Sequence, residues 1–222
     1  MTKILSLILF FILLSPLQAQ KVFDPLGNQP WELLGSEDGV LLKRKTVKGS
    51  ELFAVRGEIL IKSPIEKVAA VICDFNRWIE WTKDMSSVKD LGITKENAKI
   101  VYQSFDMPAF IDNREVIYGF KLTPLKHGFL VIGKGEKGLP EFHRENHTRM
   151  ELILGRWKLM PSKQNYTTVE LDVLMDPKGS LPSWFVNIVQ RSYPADTLNA
   201  LARQTKKPDI VALKNPIKSC NF

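Results

Sequence analysis

Along much of this chain apolar and polar residues alternate in short runs, the period of half-buried strands. Residues 40–47 and 52–61 are the first two runs, joined by a turn at Lys48, Gly49 and Ser50. In the second, Phe53, Val55, Gly57, Ile59 and Ile61 share one side and Arg56 and Glu58 the other. Six further runs follow, at 88–94, 99–105, 113–122, 128–136, 149–159 and 166–174. Turn-like clusters separate them, and such close spacing implies antiparallel neighbours.

Three segments break this alternation. Trp31, Leu33 and Leu34 predict a short helical piece packed on the body. Ser63, Pro64 and Glu66 read as a capping box with proline in the first helical position. Ile65, Val68, Ala69, Ile72 and Phe75 then line one helical face, and a second short segment carries Trp78 and Trp81. The last helix is expected over 182–205, with Ser180 as cap and Pro182 in the first turn. It would be about 36 Å long. Leu181, Trp184, Phe185, Ile188 and Val189 form its apolar stripe, continued by Leu198 and Leu201. Pro194 should kink or divide it. Two strands, a short helical pair, six strands and one long helix make an α+β layering, a curved antiparallel sheet gripping a helix. Residues 208–222 read as an irregular tail.

Composition adds a compartment and removes some functions. The 222 residues are 44% hydrophobic, enough for one domain with a real core. The net charge of +7 suits an anionic membrane surface. No basic helix with interleaved aromatics is present, so nucleic acid is not an expected partner. Lys3 precedes an apolar run over 4–14 and a small residue at Ala19, the pattern of a signal peptide over 1–19. The run is shorter than the ~20 residues of a membrane span. The expected product is exported, periplasmic or secreted. Cys73 and Cys220 could pair there, or Cys73 could be a buried core thiol.

Candidate chemistry is sparse. His143 and His147 lie four apart, yet Arg144 stands where a zinc protease needs glutamate, and a strand follows. No metal is expected. There is no nucleophile elbow and no phosphate loop, so no catalytic residue and no cofactor are assigned. Met107, Pro108, Ala109, Phe110 and Ile111 place an apolar cluster in a loop, the mark of an interaction surface. Arg114 then heads a row with Val116, Tyr118 and Phe120. By pattern alone it belongs at the sheet's edge in water, since an interior arginine needs an acid or a ligand anion.

Four blocks together resemble the START domain, the lipid-transfer module related to the steroidogenic acute regulatory protein. They are SPIEKVAAVICDFNRWIEW, MPAFIDNREVIY, GRWKLMP and DPKGSLPSWFVNIVQRSYPADTL, within residues 31–207. Glu115 stands where aspartate is commoner in the family. The resemblance implies a helix-grip fold with an apolar tunnel, a lipid or sterol ligand and no enzyme activity. A cyclase or hydrolase of the wider superfamily is the alternative. It places Arg114 in the tunnel, against the pattern reading. With it, the expected ligand-binding residues are Arg114, Tyr118, Trp78, Trp81, Phe105, Trp157, Trp184, Phe185 and Ile188. Met107, Pro108 and Phe110 would form a gating loop, and the protein would act as a monomer touching anionic membranes transiently. The implied boundaries are a lipid-binding domain over 20–207 and a tail over 208–222.

Overall fold

The computed structural model describes residues 25–94, 97–135, 142–181 and 183–220; of 183–185 and 187–190 it describes the backbone only. The expected signal peptide and Pro182 lie outside these residues. The first three strands are β1 (Glu32–Glu37), β2 (Val40–Thr46) and β3 (Phe53–Ile61). Helix α1 (Ile65–Cys73) and a 3-10 helix (Phe75–Glu80) follow. Then come β4 (Met85–Ile93), β5 (Lys99–Phe105), β6 (Asn113–Leu125), β7 (Gly128–Gly135), β8 (His147–Arg149), β9 (Glu151–Pro161) and β10 (Thr167–Asp176). Helix α2 (Ser183–Gln204) and α3 (Pro216–Cys220) end the order. The strands form one sheet in the order β1-β2-β3-β10-β9-β7-β6-β5-β4, antiparallel throughout that path, and β8 pairs with β6 in parallel. This is the expected α+β helix-grip architecture.

Alternation along β6 sets the two sides of the sheet. Val116, Tyr118, Phe120 and Leu122 turn inward, into the main core with Leu198 and Leu201 of α2. Gly57 on β3 brings that helix close. A Cβ there would lie 2.6 Å from Leu198 Cδ1 and 2.9 Å from Pro194 Cβ. The outward face of β3, β10 and β9 carries charge instead. Arg56, Asp172 and Arg156 pair across the three strands, and the buried Asp172 carboxylate accepts from both guanidiniums.

Four local expectations change. Residues 32–37 form edge strand β1 rather than a helical piece, because the β2 edge offers unpaired backbone groups that outweigh weak helical spacing. Ser63 does not cap α1. Its hydroxyl bonds Thr205 Oγ1 at 3.1 Å and its carbonyl accepts from Thr167, tying the helix start to distant elements. Helix α2 continues through Pro194 instead of dividing there, and the proline is buried beside Gly57. The tail is not wholly irregular, since it contains α3. A disulfide joins Cys73 of α1 to Cys220 of α3, across 147 residues. Arg77 meets Asp209 at 2.6 Å, and the Leu213 amide donates to the Glu66 carbonyl.

Candidate functional site

The space between sheet and α2 is not completely filled. A cavity of about 150 Å³ is lined by Trp78, Trp81, Phe105, Tyr118 and Trp157, among other apolar groups. A neighbouring chamber of about 110 Å³ is lined by Phe53, Arg114, Pro177, Leu181 and Val186. Met107, Met150, Val173, Met175 and Tyr193 border both, so the two adjoin across a largely apolar neck. Methionine suits such a boundary, because its unbranched chain adapts to what it touches. Part of the larger cavity exists because Gly133 and Gly155 face each other across β7 and β9 where other pairs carry side chains.

The aromatic wall comes from two distant segments. The 3-10 helix and the residue after it supply Trp78 and Trp81, whose rings meet edge-on at 6.5 Å. Trp78 stacks on Tyr118 of β6 at 6.4 Å, and its indole N–H donates to the Ile72 carbonyl at 3.1 Å. That bond explains how a buried tryptophan is tolerated here.

Arg114 lies inside, only 3% exposed, which overturns its placement at a wet edge. The odd and even positions of β6 decide this: Arg114 shares the inward row with Val116 and Tyr118. Its Nε donates to the Pro177 carbonyl at 3.1 Å, Nη1 to the Asp112 carbonyl and Nη2 more weakly to that of Lys178 at 3.4 Å. Every one of these acceptors is a neutral backbone oxygen. Among the described residues it forms no ion pair, and burial lowers its pKa against the partial support of the Asp112 charge. A cation so placed is an attractive site for an anion.

Next in sequence, Glu115 points the other way and is fully buried. It accepts from Tyr102 Oη at 2.9 Å, Arg149 Nε at 2.9 Å and the Arg144 amide at 3.1 Å, and contacts His143 Nδ1 at 2.6 Å. Burial pushes its pKa up, but these partners outweigh burial and hold it below the ordinary value. His143 is thus engaged with this carboxylate, while His147 donates to the Glu145 carbonyl. The described residues contain no cluster of metal-ligand type.

The remaining expected site residues divide. Met107 lines both chambers and its amide donates to Asn113 Oδ1 at 2.9 Å. Pro108 and Phe110 sit outside the lining, on an exposed turn where Phe110 is 68% exposed. The side chains of Trp184, Phe185 and Ile188 lie outside the described residues. Sequence reasoning missed Gln103, Tyr193 and Thr197, which bring polar atoms into the larger cavity. Burial drives the Tyr118 and Tyr193 phenol pKa values up, against the opposing influence of nearby Gln103 on Tyr118 and Thr197 on Tyr193. Their signal was weak, since an isolated glutamine or threonine in an apolar pattern reads as a solvent-facing position. The lining of the two chambers, among the described residues, includes no carboxylate, imidazole or thiol.

Residues 61–202 match a family model described as polyketide cyclase / dehydrase and lipid transport. An uncharacterised protein of Pseudomonas aeruginosa is 29% identical over 197 residues, covering 85% of this chain and 95% of its own. The START domain-containing protein 10 of human is 24% identical over 56% of this chain, but the match spans only 43% of that protein. Among solved structures, human STARD10 aligns with a TM-score of 0.72 at 21% identity, over 80% of this chain and 74% of its own. A STAR-related lipid transfer protein from Xanthomonas axonopodis gives 0.68 at 25% identity, over 80% and 99%. The Zhui aromatase/cyclase from a Streptomyces species is more distant, at 0.52 and 14%, over 69% and 93%.

Proposed function

Since the chain belongs to the polyketide cyclase / dehydrase and lipid transport family, and its fold is that of START proteins, we propose that it binds one lipid with an anionic end in its internal cavity. The observation that carries this reading is Arg114, buried without an acid at one end of an apolar space. The lipid's tail fills the larger chamber. Its removal from water contributes about 25 cal/mol per Å² of apolar area. The anionic group meets Arg114, where a charge-assisted hydrogen bond is stronger than one to a backbone carbonyl. The adjoining chambers, of about 150 and 110 Å³, are small beside the volume of a two-chain lipid. The two chambers therefore favour a single-chain lipid over a two-chain one.

The protein carries or senses this lipid rather than transforming it, a reading supported by a lining without carboxylate, imidazole or thiol among the described residues. Trp78, Trp81, Phe105, Tyr118 and Trp157 contact the tail. The turn bearing Pro108 and Phe110 is the gate, next to Met107 in the neck. Export to an oxidising compartment, periplasmic or extracellular, is supported by the Cys73–Cys220 disulfide and the apolar start of the sequence. A net charge of +7 favours transient docking to anionic bilayers.

Native mass spectrometry of protein incubated with oleate is the direct test. One oleate per chain is expected, and Arg114→Met should weaken binding about tenfold, the loss of one charge-assisted contact. A protein that never acquires fatty acid or phospholipid from vesicles would sink the reading.

A further inference from the structure

Besides Thr82, four side chains from three elements carry uncharged polar groups into the otherwise apolar larger chamber. Gln103 comes from β5, Tyr118 from β6, and Tyr193 and Thr197 from successive turns of α2. They sit in two pairs, Gln103 beside the Tyr118 hydroxyl and Thr197 beside the Tyr193 hydroxyl. Gln103 is 5% exposed and Thr197 6%, so neither faces water appreciably. An amide has two donor hydrogens and a carbonyl with two lone pairs.

A further polar atom is left over. Trp81 lines the same chamber, and its indole Nε1 is buried with no acceptor among the described residues. Its neighbour Trp78 shows the contrast, with its N–H donating to the Ile72 carbonyl. Leaving a buried donor unpaired is costly, and a plain hydrocarbon tail would leave it so. A cavity built only for alkyl chains would have apolar residues at these positions. Instead, polar groups lie further along the sheet from Arg114: Gln103 pairs with Val116, two strand residues or about 7 Å from position 114, and Tyr118 lies two residues beyond.

We propose that this cluster is a second polar subsite, which takes a hydroxyl or keto oxygen borne midway along a single-chain amphiphile whose anionic end meets Arg114. The inference rests on the lipid-binding reading above and specifies the ligand class as an oxygenated fatty acid. The oxygen accepts from Trp81 Nε1–H and the Gln103 amide, while the aromatic walls hold the flanking methylenes. The two subsites together set register: the distance between acid and mid-chain oxygen selects the ligand.

Oleate and ricinoleate form a matched pair, differing by one mid-chain hydroxyl. Titrating the full chain with each, by competition against a fluorescent fatty acid, reads the subsite directly. Ricinoleate is expected to bind about fivefold more tightly, the worth of one net hydrogen bond. Gln103→Leu and Trp81→Phe should each bring that ratio close to one, whereas Arg114→Met weakens both ligands and keeps the ratio. Binding of oleate with no preference for ricinoleate would overturn the subsite while leaving lipid binding intact. A preference that survives in both the Gln103 and Trp81 variants would overturn it as well. Failure to bind either acid would instead refute the lipid-binding reading itself.

Discussion

Single residues on β6 set opposite environments only one position apart. Arg114 faces the cavity with neutral acceptors; Glu115 faces outward into a shell of donors. Glu115 is therefore a structural ion, and breaking such a buried arrangement is expensive. Glu115→Gln is expected to lower stability by about 3 kcal/mol, measured by urea unfolding. The same carboxylate makes the fold acid-sensitive. Its folded-state pKa lies below the ordinary value of 4.5, so its contribution is in place above that pH and is lost as pH falls through the depressed value. The wild type should lose stability below about pH 4.5, and Glu115→Gln should show a smaller loss over the same range. Equal acid sensitivity in both proteins would show that other carboxylates govern it.

Elements meet where side chains are missing. Gly57 lets α2 lie against β3, and the Gly133–Gly155 pair leaves room for the larger chamber. These glycines do different things, because a Cβ at position 57 would collide with Pro194 and Leu198, whereas Gly133 and Gly155 face softer neighbours at 3.3 Å and beyond. Gly57→Ala is expected to cost about 2 kcal/mol as an overpacked contact, read as a lower midpoint of thermal unfolding. Because α2 forms one wall of the cavity, the same change should speed release of bound fatty acid. Unchanged release together with unchanged stability would mean that the helix–sheet contact has slack at this point. Pro194 belongs to this same contact, so its burial against β3 accounts for its place in an unbroken helix better than a bend does.

At the scale of the whole molecule, the C-terminus is fastened back onto the first helix. The Cys73–Cys220 disulfide, the Arg77–Asp209 pair and the Leu213 amide all act between the α1 region and residues after α2. The C-terminal end of α2 is thus tied to the α1 region, since Ser63 also bonds Thr205, the residue that follows the helix. A cross-link closing so long a loop removes much of the unfolded chain's freedom. Replacing both cysteines by alanine is expected to lower stability by about 4 kcal/mol. Calorimetry under reducing and non-reducing conditions should reproduce that difference in the wild type, and a reduced protein with an unchanged transition would refute it.

Apart from β1, β8 and α3, the order of strands and helices was legible in the amino-acid pattern, because each element must bury one face and the spacing of Val116, Tyr118 and Phe120, or of Val68, Ala69 and Ile72, states which face that is. The aromatic lining at Trp78, Trp81, Phe105 and Trp157 followed from the same spacing combined with the START resemblance. Partners distant in sequence were not legible. Nothing near Leu33 shows that its segment would add to the β2 edge, nor does anything near Ser63 show that its hydroxyl would serve Thr205. Arg114 is the clearest case: periodicity placed it on the inward row, but whether that row ended in water or in a chamber depended on Pro177 and Lys178, more than sixty residues later. The sequence alone determined which faces are apolar, since that is a property of neighbours three or four residues apart, or two. Tertiary structure alone decided which polar atoms are sealed in with them, because solvent exclusion depends on what every other part of the chain covers.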